Sequence, residues 1–209
     1  MDAGGGRGRG ELNRMVVDPI AEFQRLFALA CEAPPSDPTE MTLATADPRG
    51  TPSARIVLLK SVDERGFQFF TNYESRKGRE LAENPRAALV WRWPWRELQI
   101  RAEGEVERLA AAESDAYFAT RPRGHQLGAW ASAQSRPLGS YAGLLARVAQ
   151  VELRYALSDV PRPPCWGGFL LRPLAIEFWH GRADRLHERR LFRRDPLGDG
   201  SWTSELLSP

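Results

Sequence analysis

Apolar side chains at Ile20, Phe23, Leu26, Phe27 and Ala30 recur at the three-and-four spacing of a single helix face. Asp18 stands where a cap belongs, and Pro19 takes the first helical position, where its missing N–H is no loss. A helix is therefore predicted from Asp18 to about residue 33. The period then changes. Segments 41–46, 53–60 and 67–71 are short apolar runs separated by Asp47-Pro48-Arg49-Gly50 and Asp63-Glu64-Arg65-Gly66, both good turn sequences. They predict an antiparallel meander. Ser75 precedes a short helix ending near Asn84-Pro85, and segments 87–93 and 98–109 read as two more strands. The second alternates, with Gln99, Arg101, Glu103, Glu105 and Glu107 on one face and Leu98, Ile100, Ala102 and Val106 on the other. A helix at about 111–120, an irregular segment 123–137 and a helix at about 140–155 follow. Strands return at 175–179, 185–194 and 202–207, divided by Gly181 and by Asp195-Pro196-Leu197-Gly198.

Many short antiparallel strands with helices outside predict a mainly β chain with α elements, folded as a closed or split barrel, because closure removes exposed edges. No Gly-rich dinucleotide fingerprint is present, which argues against a parallel nucleotide-binding sheet. At 209 residues one domain is expected, spanning 18–209. Residues 1–17, opening with a Gly- and Arg-rich stretch that has almost no apolar side chain, are expected to form a disordered tail. No apolar run approaches the roughly 20 residues that span a bilayer, and no signal peptide is evident, so a soluble cytoplasmic protein is expected. The net charge of +2 argues against a general nucleic-acid binder. Cys31 and Cys165 form no paired motif and have no clustered histidines. Two buried thiols are expected, with neither a disulfide nor a metal site.

The positions of the cations matter more than their number. Arg76 and Lys77 fall in the first turn of the helix after Ser75, where the helix dipole disfavours positive side chains. A bound phosphate would turn that clash into a site. Arg55 and Lys60 bracket an apolar strand, and five positions place them on opposite faces, about 16 Å apart at a rise of about 3.3 Å per residue. Two anionic groups, or two ends of one long ligand, are implied. Arg185, His187 and Arg189 alternate along a strand and share a face, with Leu186 opposite. Tyr117, Arg121 and Arg123 form another basic group, and Trp179 lies six residues before Arg185. Taken singly, each group is also what a solvated surface or a blunted edge strand would present. Trp91, Trp93 and Trp95 are assigned to packing. With no Ser-His-Asp order and no paired carboxylates, chemistry would have to come from an organic cofactor.

The segments Arg55-Ile56-Val57-Leu58-Leu59-Lys60, Phe70-Thr71-Asn72, Ser75-Arg76-Lys77, Arg121-Pro122-Arg123, Gly128-Ala129-Trp130, Gln134-Ser135, Trp166-Gly167-Gly168, Ile176-Glu177-Phe178-Trp179 and Arg185-Leu186-His187 together resemble the pyridoxamine 5'-phosphate oxidase family. The resemblance runs in order from about Asp18 to Pro209. It implies an FMN-binding split barrel acting as a homodimer, with the flavin between subunits. By the same resemblance, FMN would be held by Arg55, Ile56, Val57, Leu58, Leu59, Lys60, Phe70, Thr71, Arg76, Lys77, Gln99, Gln134, Ser135, Trp179 and Arg189. The phosphorylated pyridine substrate would meet Lys60, Tyr117, Arg121, His125, Arg185, Leu186 and His187, with Arg185 and His187 closest to the chemistry. The implied reaction oxidises pyridoxamine or pyridoxine 5'-phosphate to pyridoxal 5'-phosphate, with dioxygen as acceptor and hydrogen peroxide as by-product. Two departures stand out: His125 where the family commonly has a small hydroxyl residue, and Phe70 where tyrosine is commoner. A phenazine-type flavin oxidase and a non-catalytic flavin or pyridoxal-phosphate binder are the alternatives.

Overall fold

The computed structural model describes residues 18–195 and 200–209. The expected N-terminal tail, and the turn expected at 195–198 apart from Asp195, lie outside the described residues. Helix α1 (Pro19–Ala30) starts as the sequence predicts, with the Asp18 carboxylate accepting from the Ile20 N–H at 3.0 Å. The strands are β1 (Glu40–Ala46), β2 (Pro52–Leu58), β3 (Ser61–Asp63), β4 (Gly66–Asn72), β5 (Arg86–Trp93), β6 (Leu98–Arg108), β7 (Trp166–His180), β8 (Glu188–Arg194) and β9 (Trp202–Leu207). Helix α2 (Arg76–Glu83) precedes β5, and α3 (Ala111–Ala119), α4 (Arg123–Ala131) and α5 (Tyr141–Arg154) lie between β6 and β7.

All strand pairs are antiparallel, in the order β2-β1-β5-β6-β7-β4-β3, with β8 also on β7 and β9 on β8. The branch arises because β7 is long. Its first half pairs with β4 and its second half with β8, while β6 runs alongside both. At the crossover the β6–β7 register shifts between Glu103 and Gly104, and this bulge bends the sheet into a split barrel. Gly104 is required there, since a Cβ would sit 2.0 Å from the Arg172 carbonyl oxygen and 2.9 Å from Pro173 Cα. Both obstacles are backbone and cannot rotate away. Gly104→Ala is accordingly expected to destabilise by roughly 1–3 kcal/mol, lowering the thermal midpoint by several degrees. An unchanged melting curve would show that the bulge relaxes freely.

Helix α1 packs its apolar face into the main core of the sheet. Phe23 is fully buried, with its ring centroid 4.8 Å from both Phe67 and Trp91 in edge-on geometry. Trp91 and Trp93 are buried as expected for packing residues. A second, smaller cluster of Phe118, Leu127, Tyr155, Val160 and Trp166 joins the three later helices to the start of β7.

Several expectations are corrected. The meander stops after its first hairpin: β1 and β2 pair around the 47–50 turn, but β2 ends at Leu58 and the 63–66 turn joins β3 to β4, which pairs with β7. Segment 123–137 is not irregular throughout: 123–131 is helix α4, which buries Leu127 and Ala131 despite Gly124 and Gly128. Strand β7 begins at Trp166, well before residue 175. Strand β8 begins at Glu188, so Arg185, His187 and Arg189 do not share a strand face. Cys31 is exposed and Cys165 half-buried, since the first caps the solvent end of α1 and the second lies just before β7.

Candidate active site

A cavity of about 760 Å³ lies between the barrel wall and the helical layer, within the size range of small-molecule and cofactor pockets. Strand β2 supplies Arg55, Ile56, Val57 and Leu58, and the chain just beyond it supplies Lys60. Phe70, Thr71 and Asn72 come from β4, Lys77 from α2, Tyr117 from α3, and Arg121 from the turn that follows. Gly124, His125, Gly128 and Ala129 of α4, with Ser132, Gln134 and Trp166, complete the lining. Arg55 and Lys60 thus reach one cavity, contrary to the opposite-face expectation. The alternation rule lapses where β2 ends, before Lys60.

Helix α2 begins as predicted, with the Ser75 hydroxyl accepting from the Gly78 N–H at 3.2 Å. The Lys77 ammonium turns back into the cavity. It donates to Thr71 Oγ1 at 3.0 Å, Gln134 Oε1 at 3.1 Å and Ser75 Oγ at 3.4 Å. Burial, then the nearby Arg55 charge, pull its pKa down to about 8. Arg55 is itself pushed below the usual arginine range, chiefly by burial. Arg76 points away, with a half-exposed side chain donating from Nε to Glu80 at 2.8 Å. Leu59 is a core residue, 4 % exposed.

The opposite wall is aromatic. Phe70 and Tyr117 stack at 4.0 Å between centroids, Trp166 lies nearly parallel to both, and the Arg121 guanidinium sits 4.5 Å over the Trp166 ring. Arg121 Nη1 is buried and has no hydrogen-bond partner among the described residues. An unpaired buried donor on a cation is expensive unless an anion completes it. Burial also lowers the Arg121 pKa.

The remaining expected residues gather elsewhere. Gln99 and Trp179 are register partners across β6 and β7, and Trp179 and Arg189 across β7 and β8. The His187 ring centroid is 4.4 Å from that of Trp179, and Arg189 donates to Glu177 at 2.8 Å and to the Ser208 carbonyl at 3.0 Å. Arg185 ends a short 3-10 turn (Ala183–Arg185) and has φ +61°, directly after Asp184 at +54°. Leu186 is largely exposed. Ser135, at φ +66°, adjoins the lining residue Gln134 without itself lining the cavity. Asn72, Gly124, Gly128, Ala129, Ser132 and Trp166 line it although no site role was assigned to them. Their local signal was weak, because 123–137 read as irregular and the start of β7 was assigned no element.

Family models agree with this architecture. Residues 30–155 match the model described as pyridoxamine 5'-phosphate oxidase, and 166–209 match the pyridoxine 5'-phosphate oxidase C-terminal dimerisation region. The pyridoxine/pyridoxamine 5'-phosphate oxidase of Salinibacter ruber is 55 % identical over 205 residues, covering 96 % of this chain and 94 % of its own. That of Paraburkholderia phymatum is 54 % identical over 202 residues, with the same coverage of 96 % and 94 %. Among solved structures, PhzG from Burkholderia lata in complex with tetrahydrophenazine-1-carboxylic acid superposes with a TM-score of 0.86 at 34 % identity, covering 92 % of this chain and 93 % of that one. A pyridoxamine 5'-phosphate oxidase-related, FMN-binding protein from Nostoc punctiforme shares the fold, with a TM-score of 0.73 at 18 % identity, covering 93 % of this chain and 100 % of that one. Near-complete coverage by relatives above half identity leaves one assignment: the chain belongs to the pyridoxamine 5'-phosphate oxidase family of FMN-dependent oxidoreductases.

Proposed function

We propose that this enzyme oxidises pyridoxamine 5'-phosphate, pyridoxine 5'-phosphate or both to pyridoxal 5'-phosphate, passing electrons to dioxygen and releasing hydrogen peroxide. The observation that carries the reading is that one cavity is lined by two cation groups held by different elements. Lys77, with Arg55 nearby, sits beside α2 and donates to Thr71 and Gln134, whereas Arg121 lies over the Trp166 ring with a buried Nη1 that no described residue pairs. Two anionic groups suit that division: the FMN phosphate beside α2, and the substrate phosphate at Arg121 and Lys60. A phenazine carboxylate would give Arg121 an anion too, but the relatives sharing more than half of this sequence are named for the phosphorylated pyridines.

The residues present fit such a flavin. Arg55, Thr71, Lys77 and Gln134 form a polar end for its phosphate, while Ile56, Val57, Leu58 and Phe70 offer apolar and backbone surface for its ring. Arg76, Leu59, Lys60 and Ser135 adjoin these positions in sequence. Gln99, Trp179 and Arg189 lie outside the cavity, next to or within the segment matched by the dimerisation model. In a homodimer they complete the flavin site of the other subunit, and Arg185, Leu186 and His187 close over the substrate ring. When bound, FMN supplies the hydride acceptor.

The chain itself neutralises, orients and shields. Arg121, braced by Trp166, and Lys60 fix the substrate phosphate, and Tyr117 walls its pyridine ring. His187 Nδ1 accepts from the Arg182 N–H at 3.2 Å, which places the proton of the neutral imidazole on Nε2. That nitrogen can donate toward the substrate's reacting substituent. His125 reaches the cavity from α4, where it can stand in for the family's hydroxyl.

The purified protein is expected to be yellow, to release FMN and not FAD on denaturation, and to convert pyridoxamine 5'-phosphate to pyridoxal 5'-phosphate with peroxide under air. A protein that stays colourless with added FMN would sink the reading. Turnover of tetrahydrophenazine-1-carboxylic acid but of neither phosphorylated pyridine would move it to the phenazine branch.

A further inference from the structure

Glu80 is a buried carboxylate, its side chain only 7 % exposed, at a place where the proposed function puts a phosphate dianion. It lies in α2, and the groups that reach it come from three elements. Its Oε2 accepts from Thr45 Oγ1 of β1 at 2.5 Å and from Ser53 Oγ of β2 at 2.6 Å, and lies 3.4 Å from Arg55 Nη2. Its Oε1 accepts from Arg76 Nε at 2.8 Å. The same two hydroxyls also receive Arg55: Nη1 donates to Thr45 Oγ1 at 2.5 Å, and Nη2 donates to Ser53 Oγ. Each hydroxyl therefore relays between guanidinium and carboxylate, using its lone pair toward Arg55 and its proton toward Glu80. Burial works against the charge on Glu80, but the bonds from Ser53, Thr45 and Arg76 outweigh it and hold the carboxyl ionised down to about pH 2.

Simple electrostatics makes this carboxylate a liability, since a buried negative charge repels a phosphate and removing it should tighten binding. The geometry points to the opposite. We propose that Glu80 is a positioning residue for the FMN phosphate, holding the Arg55 guanidinium in place through Thr45 and Ser53. This rests on the reading of Arg55 and Lys77, with Thr71 and Gln134, as the phosphate site. The Arg55 and Lys77 cations repel each other, and without a partner the long Arg55 side chain would have many alternative rotamers. Glu80 offsets the repulsion and fixes Arg55 in a single orientation before the ligand arrives, so less ordering remains to be done on binding.

The test compares FMN and riboflavin affinities of the flavin-free full-length chain, by quenching of flavin fluorescence, for the wild type, Glu80→Gln, Thr45→Val and Arg55→Ala. Glu80→Gln is expected to bind FMN roughly tenfold more weakly or worse, as the loss of an orienting charged partner does elsewhere, with riboflavin affinity unchanged. Thr45→Val keeps the carboxylate charge and breaks one relay, so it should shift FMN affinity in the same direction by less. It also carries the test if Glu80→Gln fails to fold. FMN binding by Glu80→Gln as tight as or tighter than wild type would overturn the proposal, and so would equal losses for both flavins, which mark a general structural role. If Arg55→Ala keeps the full preference for FMN over riboflavin, the phosphate-site reading falls and this inference with it. If Arg55→Ala loses that preference while Glu80→Gln and Thr45→Val keep it, this inference alone falls.

Discussion

Arg185→Ala is expected to slow oxidation of pyridoxamine 5'-phosphate by about a hundredfold or more, and His187→Ala to do the same, while both variants keep FMN bound. The magnitude is that of losing a positioned orienting or proton-holding group. The expectation starts from backbone geometry. Asp184 and Arg185 occupy the left-handed region in succession, at φ +54° and +61°, where non-glycine residues are held at a cost of about 1–3 kcal/mol each. The strain lifts Arg185 clear of strand β8 and leaves Leu186 exposed beside it. His187 is fixed by the Arg182 amide and by the Trp179 ring, so its free nitrogen has a defined direction. Arg185→Gly separates strain from chemistry. It should melt no lower than the wild type, because glycine accepts this conformation, yet turn over as slowly as Arg185→Ala. Single-turnover flavin reduction under nitrogen measures the loss directly. Release of FMN from either alanine variant, or rates within twofold of wild type, would take these residues away from the substrate.

The parts of the fold that could be read from sequence are those with a local cause. Asp18-Pro19 caps α1, Ser75 caps α2, and 202–207 is strand β9, each within a residue or two of the expectation. The long strand β7 was hidden because its own breakers are explained only by distant neighbours. A Cβ on Gly167 would meet Tyr73 Oη at 2.0 Å, and Pro173 sits at the bulge opposite Gly104. The pairing of β4 with β7 joins Phe70 to Gly168 across nearly a hundred residues, which no local pattern encodes. The cations were legible as cations. That Arg55, Lys60, Lys77 and Arg121 converge on one cavity followed from the family resemblance and from no local pattern, because convergence depends on where β2 stops and on how α3 and α4 fold over it. Arg185 was misplaced for a related reason: period-two reasoning holds only inside a strand, and the chain there turns before β8 begins.

FMN affinity is expected to fall as pH rises above about 8, by up to tenfold per unit, while riboflavin affinity stays flat. Lys77 is the cause. Its ammonium is half-buried, close to Arg55, and half neutral near pH 8 in the ligand-free protein. A phosphate dianion at the start of α2 favours the charged form, so binding raises the Lys77 pKa toward or beyond its ordinary value of 10.5. Below pH 8 the ammonium is charged before and after binding, and affinity does not depend on it. Between the free and bound pKa values each bound FMN must take up a proton, and affinity drops by one decade for each unit of pH. The phosphate itself, titrating near pH 6 by analogy with phosphorylated side chains, is fully charged throughout this window. The same group acts on stability with the opposite sign. Its pKa is lower in the folded than in the unfolded chain, so between about 8 and 10.5 the unfolded chain holds more protons and the flavin-free protein gains stability as pH rises. Lys77→Met supplies the control. It removes the ammonium at every pH and should bind FMN weakly with no slope across this range, equalling the wild type only at the alkaline end. Titrations at pH 7, 8 and 9 decide the matter: a flat wild-type FMN affinity, or a slope shared with riboflavin, would mean that Lys77 does not meet the phosphate.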